Sequence, residues 1–292
     1  MTTAPLTVNQ PLNGVLWMLA SGLCFVGVTG IVRYLGTDLP AAQSAFIRFA
    51  FGVVFLAPAL WGLRAGLPAG AGVLFVGRGV VHALAVVCWF YAMARLPVAE
   101  VTAIGYLNPV LVSVFGALLF GEALAARRLV VLAVALLGAV IVLRPGLREV
   151  STGHLSQLMA AVFFAGSYLF AKRLSQFVPA GTVVAVLSVC VTLALFPMAL
   201  WVWVPVSISQ LAWLAVVAVF ATGGHYCMSR AFAAAPLAVT QPVVFLQLVW
   251  ASLLGVFVFG EGVDPFVILG GAVIIGAISW LTWSETRALP VA

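Results

Sequence analysis

The sequence predicts an all-α integral membrane protein: ten spanning helices arranged as two inverted five-helix repeats. Three observations predict it. Of 292 residues, 65% are apolar and 7% are charged, where a soluble domain carries about 25% charge. The apolar residues gather into runs close to the roughly 20 residues that cross the hydrocarbon of a bilayer. The sequence also matches itself at a fixed offset of 139 residues, the mark of an internal duplication.

Taken in order, the runs of the first half are Gly14 to Val32, Gln43 to Trp61, Leu74 to Ala94, Val101 to Phe120 and Leu129 to Leu143. Those of the second are Gly153 to Ala171, Thr182 to Trp203, Leu211 to Phe232, Val239 to Phe259 and Pro265 to Trp283. Charge, Gly or Pro bounds each one. Their apolarity is continuous, without the period-two alternation of a membrane barrel, and lipid leaves a helix as the other way to satisfy the backbone. The first 13 residues are uncharged, which disfavours a cleavable leader with its basic start. The organisation expected is a cytoplasmic N-terminus over 1–13, a first repeat over 14–145, a second over 152–285 and a cytoplasmic tail over 286–292.

The offset needs no gap from the first run to the fifth. Gly14 pairs with Gly153, Phe25 with Phe164, Gly27 with Gly166, Pro40 with Pro179, Pro58 with Pro197 and Cys88 with Cys227. From Pro97 to Glu122 against Pro236 to Glu261, nine of 26 positions are identical. Shared hydrophobicity does not align prolines, glycines and a glutamate. Five spans per repeat is odd, so the second repeat enters the membrane from the other side. Cytoplasmic termini place seven basic residues inside (Arg64, Arg127, Arg128, Lys172, Arg173, Arg230, Arg287) against four outside (Arg33, Arg95, Arg144, Arg148), the sense of the positive-inside bias.

Composition also narrows function. A chain of this length with ten spans has no room for a soluble catalytic or nucleotide-binding domain. Its basic residues are scattered and include one lysine, so a nucleic-acid surface is excluded. Cys24, Cys88, Cys190 and Cys227 lie singly in apolar runs, without metal-ligand spacing. An intramembrane enzyme would want a His-Glu-x-x-His pair, a mid-span pair of acids or a serine nucleophile turn, and Ala165-Gly166-Ser167-Tyr168 is a poor match to the last. A passive channel would want a ring of polar groups. Neither a cofactor nor a metal is expected.

Two related bundles of opposite orientation can rock about an in-plane pseudo-two-fold axis and hold a solute near the midplane, where broken helices free backbone groups. Helix 4 offers Gly105-Tyr106-Leu107-Asn108-Pro109, where Pro109 deprives a carbonyl of its helical partner. The offset pairs Asn108 with Gln247, Thr102 with Gln241 and Ser113 with Ser252. Such groups line a pocket or bond neighbouring helices. His82 and His225 are candidates for a solute carboxylate or a coupling proton; the competing use is a neutral imidazole bonded to a carbonyl. Arg48 and Arg78 are read first as snorkelling or pairing groups, with contact to an anionic group as the alternative. Trp17, Tyr106, Tyr168, Tyr226 and Phe245 are aromatic candidates for the cavity wall, as are Phe25, Trp89, Tyr91 and Phe164. All seven carboxylates fall in loops or at helix ends, so a mid-span acid relay is disfavoured. Glu122 and Glu261 are expected to bond amides at the start of the next helix.

The entry Phe46-Ile47-Arg48, the run Phe90-Tyr91-Ala92 to Leu96-Pro97-Val98-Ala99, and the close Phe120-Gly121-Glu122 resemble the EamA family of the drug/metabolite transporter superfamily. The likeness covers residues 12 to 284. It implies a carrier of the bacterial cytoplasmic membrane, as monomer or homodimer, with a cavity lined by helices 1, 3, 4, 6, 8 and 9. It also implies a small neutral or zwitterionic metabolite as substrate (an amino acid, vitamin, nucleoside-like solute or drug), with export favoured. Tyr106-Leu107-Asn108-Pro109 is similar to the Tyr-Leu-Trp-Pro stretch of aromatic amino acid exporters, with an amide in place of the indole.

Overall fold

The computed structural model describes residues 11–61, 66–67, 70–119, 126–147, 149–174, 178–234 and 243–287. Span 1 is α1 (Pro11–Leu35); span 2 is α2 (Ala41–Phe55) with α3 (Ala57–Trp61); span 3 is α4 (Ala71–Met93). Span 4 is split into α5 (Val98–Gly105) and α6 (Leu107–Leu119), and span 5 is α7 (Ala126–Leu143). The second half runs α8 (Thr152–Leu174), α9 (Ala180–Trp201), α10 (Ile208–Ala234), α11 (Leu246–Phe259) and α12 (Pro265–Arg287). Six helices among the described residues are long and apolar enough to cross a membrane, and four shorter apolar helices supply the remaining spans.

Prolines set the starts. Pro40, Pro97 and Pro179 stand just before α2, α5 and α9 with φ of −55°, −55° and −58°, ring-fixed values that cost nothing where no helical N–H is needed. Prolines also set the breaks. Span 2 was expected as one run; it breaks at Leu56, two residues ahead of Pro58, where the N–H of Leu56 turns back to the carbonyl of Gly52 at 3.0 Å.

The packing carries the inverted symmetry. Under the offset, span 1 exchanges with span 6 and span 3 with span 8. The pairing of α1 on α10 therefore has its counterpart in α4 on α8, and these are the two most extensive helix contacts. Likewise α4 on α9 answers α10 on α2, and α6 on α8 answers α1 on α11. Spans 2 with 7, 4 with 9 and 5 with 10 are self-paired. The result is a ring in which spans 1, 8, 2, 7, 3, 6, 4 and 9 follow one another, with spans 2 and 3 also touching across it. The α7–α12 pair stands beside spans 4 and 9.

Candidate functional site

The end of the bundle where the chain starts and finishes is called here the near end. Helices 4 and 9 are interrupted at offset partners. α5 stops at Gly105 and α6 resumes at Leu107, with Tyr106 between them; Phe245 (φ −68°, ψ −20°) stands at the start of α11. The two rings meet edge to face at 5.6 Å and 90°, so the pseudo-two-fold axis passes between them. The Tyr106 hydroxyl donates to the carbonyls of Val244 and Phe245, both at 3.4 Å. Tyr106 is thereby buried in the joint between the repeats.

Asn108 is half-buried in the first turn of α6, and its amide donates to the carbonyl of Ala161 on α8 at 3.3 Å. Gln247, its offset partner, is half-buried on α11. Gln241 lies outside the described residues. Beside the break, the buried Gln157 of α8 donates to the carbonyl of Val101 at 3.1 Å, while its side-chain oxygen has no partner. Sequence reading passed over Gln157. A polar side chain within the apolar run of span 6 was the signal for it.

His82 stands at the middle of α4. Its Nδ1 is 3.0 Å from the Ser167 hydroxyl of α8, and its ring meets Phe164 at 5.2 Å and Phe49 of α2 at 5.9 Å, both edge-on. Tyr168 stacks on Phe164 at 6.4 Å and is 41% exposed. Across the ring His225 meets the Phe25 ring at 5.1 Å, and Trp17 meets Tyr226 at 6.1 Å. Arg230 lies over both rings of that last pair and donates to the Tyr226 hydroxyl at 3.0 Å. His82, His225, Tyr168, Trp17 and Tyr226 thus sit at mid-depth or toward the near end. Tyr106, Asn108, Phe245 and Gln247 form a separate group at the helix breaks. Ser167, weighed in the sequence only as a nucleophile, and Phe49, passed over there, join the first group.

The far end is clasped by polar links between the repeats. Arg33 donates to Glu261 at 3.0 Å and to the Ala94 carbonyl at 3.2 Å, while the other oxygen of Glu261 accepts the N–H of Val98 at 2.9 Å. Gln43 exchanges two hydrogen bonds with the backbone of Val204, at 2.8 and 3.0 Å. Arg144 pairs with Asp264. Glu100 meets His154 Nε2 at 2.6 Å, both nearly fully buried. Because Nδ1 of His154 accepts from the Ser151 N–H at 2.9 Å, the ring proton sits on Nε2 and points at Glu100. One expectation changes here. Glu261 bonds the start of a helix in the other repeat, α5, and not the next helix in the chain. Glu122 lies outside the described residues. A cavity of about 150 Å³ opens at this same end between Glu100, Ser252, Glu261 and Asp264.

A ring of pseudo-symmetric helices, broken at midplane and clasped at one end, is the build of a membrane carrier, and sequence comparison gives the same class. The EamA-like transporter family matches residues 12–144 and again residues 151–283. The chain belongs to that family. It is 26% identical over 285 residues to the pseudopaline exporter CntI of Pseudomonas aeruginosa, covering 94% of this chain and 97% of the relative. It is 27% identical to a riboflavin transporter of Vibrio cholerae, covering 96% of each. To an S-adenosylmethionine uptake transporter of Rickettsia prowazekii it is 26% identical, covering 95% of each. One solved structure shares the fold with a TM-score of 0.59 at 22% identity, over 94% of this chain and 99% of that one. The chain is a multi-pass membrane transporter of small molecules and not an enzyme.

Proposed function

We propose that the chain is a secondary carrier of a small neutral or zwitterionic organic metabolite. It works by alternating access in the bacterial cytoplasmic membrane, with both termini in the cytoplasm. Two repeats, over 14–145 and 152–285, rock about the axis between Tyr106 and Phe245. The observation that carries this reading is the contrast between the two ends. Among the described residues seven polar links tie repeat to repeat at the far end, that of Tyr91 with Thr152 included, whereas Tyr168 and Tyr226 are 41% and 56% exposed toward the near end. That is the arrangement of an inward-open carrier. Asn108, Gln247 and the His82 cluster are read as the surfaces that meet the solute, with Gln241 added from the sequence alone. The direction proposed is export, after the pseudopaline exporter, and the proposed coupling ion is the proton, carried by His82 or His225.

The test is flux. Purified protein is screened for thermal stabilisation by metabolites, and each hit is loaded, labelled, into proteoliposomes. The reading expects saturable counterflow of at least one hit, with a pH dependence that His82→Gln or His225→Gln removes. Stabilising ligands that never cross would defeat the carrier reading. A pH profile that both variants keep would defeat the proton assignment.

A further inference from the structure

The proposed carrier function leaves open which chemical group the solute presents, and the inference here rests on that reading. Four basic side chains converge at the core of the ring. Arg48 is the central residue of α2; Arg78 and His82 lie one turn apart on α4; His225 projects from α10. The Arg48 guanidinium lies over the Phe49 ring at 3.9 Å, and the same ring meets His82 at 5.9 Å. His82 and His225 are within coulombic reach of each other and of both arginines.

Arg78 is the telling member. It is 7% exposed, its Nη1 makes one long hydrogen bond of 3.4 Å to the Val183 carbonyl, and its Nε has no partner. A guanidinium has five N–H donors and remains charged, so burial with donors unused calls for an acceptor.

Among the described side chains no carboxylate supplies one. Glu100, Glu261 and Asp264 are engaged at the far end by His154, Arg33 and Arg144, Asp38 and Glu149 lie in far-end loops, and the side chains of Glu122 and Glu285 lie outside those described. No described carboxylate acts on Arg48, Arg78 or His82; the acidic group whose field reaches Arg78 is the Tyr168 phenol. Ionisable groups at this depth are retained where they meet a pathway or a ligand.

We propose that Arg48 and Arg78 bind a carboxylate of the transported solute, with His82 and His225 as flanking hydrogen-bond partners and Phe49, Phe164 and Phe25 as walls for the attached ring or hydrocarbon. Organic carboxylates, zwitterions included, are then the substrate class. A zwitterion enters with its carboxylate toward α2 and α4, and organic cations of similar size are rejected.

The experiment uses the full chain and three labelled pairs that differ only in the acid group: indole-3-acetate with indole-3-acetamide, tryptophan with tryptophanamide, and benzoate with benzamide. Counterflow in proteoliposomes and thermal stabilisation in detergent are measured for each. The carboxylate member of at least one pair is expected to act at a concentration at least tenfold lower than its amide. Arg78→Gln and Arg48→Gln should each reduce that preference to less than twofold, and Arg78→Lys should restore part of it. Equal response to acid and amide, a preference that survives both Gln variants, or no response to any carboxylate in either measurement would overturn the proposal. Amides transported as well as acids would leave the carrier reading standing without the anion site. Carboxylates that stabilise without crossing would do the reverse.

Discussion

At the scale of single residues, the account turns on polar side chains where hydrocarbon should be. Asn108 and Gln247 are related by the offset and both remain half-buried, although packing alone would be served by Leu. Asn108 has one bond, to the Ala161 carbonyl, and interhelical bonds of this kind are worth about 1 kcal/mol. Replacing either residue with Ala should therefore lower the melting temperature by only a few degrees while reducing flux at least tenfold. Flux that falls only in step with stability would assign both to scaffolding. The offset alone related Asn108 to Gln247, whereas the meeting of Tyr106 with Phe245 emerged only in the fold. Nor were Ser167, Gln157 and Phe49 legible as site residues. Their own residue types and neighbours gave no role, and they acquire one only when α8 and α2 bring them against His82 and the helix-4 break. The Glu100–His154 pair was hidden for the same reason: 54 residues separate its members.

At the scale of elements, spans and repeats were readable because each is written in local hydrophobicity and in the offset. Breaks inside spans were less so. Pro109 announced the one in helix 4, but its offset partner is Leu248, so helix 9 turns at Phe245 without that signal. Close approach is the second property of the elements. α7 meets α12 where a Cβ added to Gly270 would stand 2.5 Å from the Gly138 carbonyl oxygen and 2.6 Å from a Val142 methyl. Backbone cannot give way as a side-chain tip can. Gly270→Ala should cost about 1–3 kcal/mol, the usual range for overpacking. Gly52→Ala, with nothing within 4 Å of the added carbon, should be close to neutral. Thermal unfolding in detergent checks both, and equal effects would mean that the α7–α12 contact is looser than described.

At the scale of the whole molecule, the sequence held the inverted duplication, and the paired helix contacts carry the same symmetry into space. What it did not hold was the state. An ideal two-fold would treat both ends alike, whereas Arg33, Glu261 and Val98 join the far end and the near-end aromatics are exposed. Which end is closed depends on a balance of a few polar links, each worth about 0.5–3 kcal/mol, and no local pattern records that balance. Weakening the clasp with Glu261→Gln should shift the population toward far-end opening. The readout is faster labelling by a membrane-impermeant maleimide of Ser44→Cys, a buried position near the far-end start of α2, in a background lacking Cys24, Cys88, Cys190 and Cys227. Unchanged labelling would remove Glu261 from the closure.

If the far end must open and close for a solute to pass, locking it must stop transport. With cysteines at positions 33 and 261 in the same background, a short reducible thiol cross-linker should abolish counterflow in proteoliposomes, and reduction should restore it. Flux that continues at its original rate through the fully cross-linked protein would contradict the account.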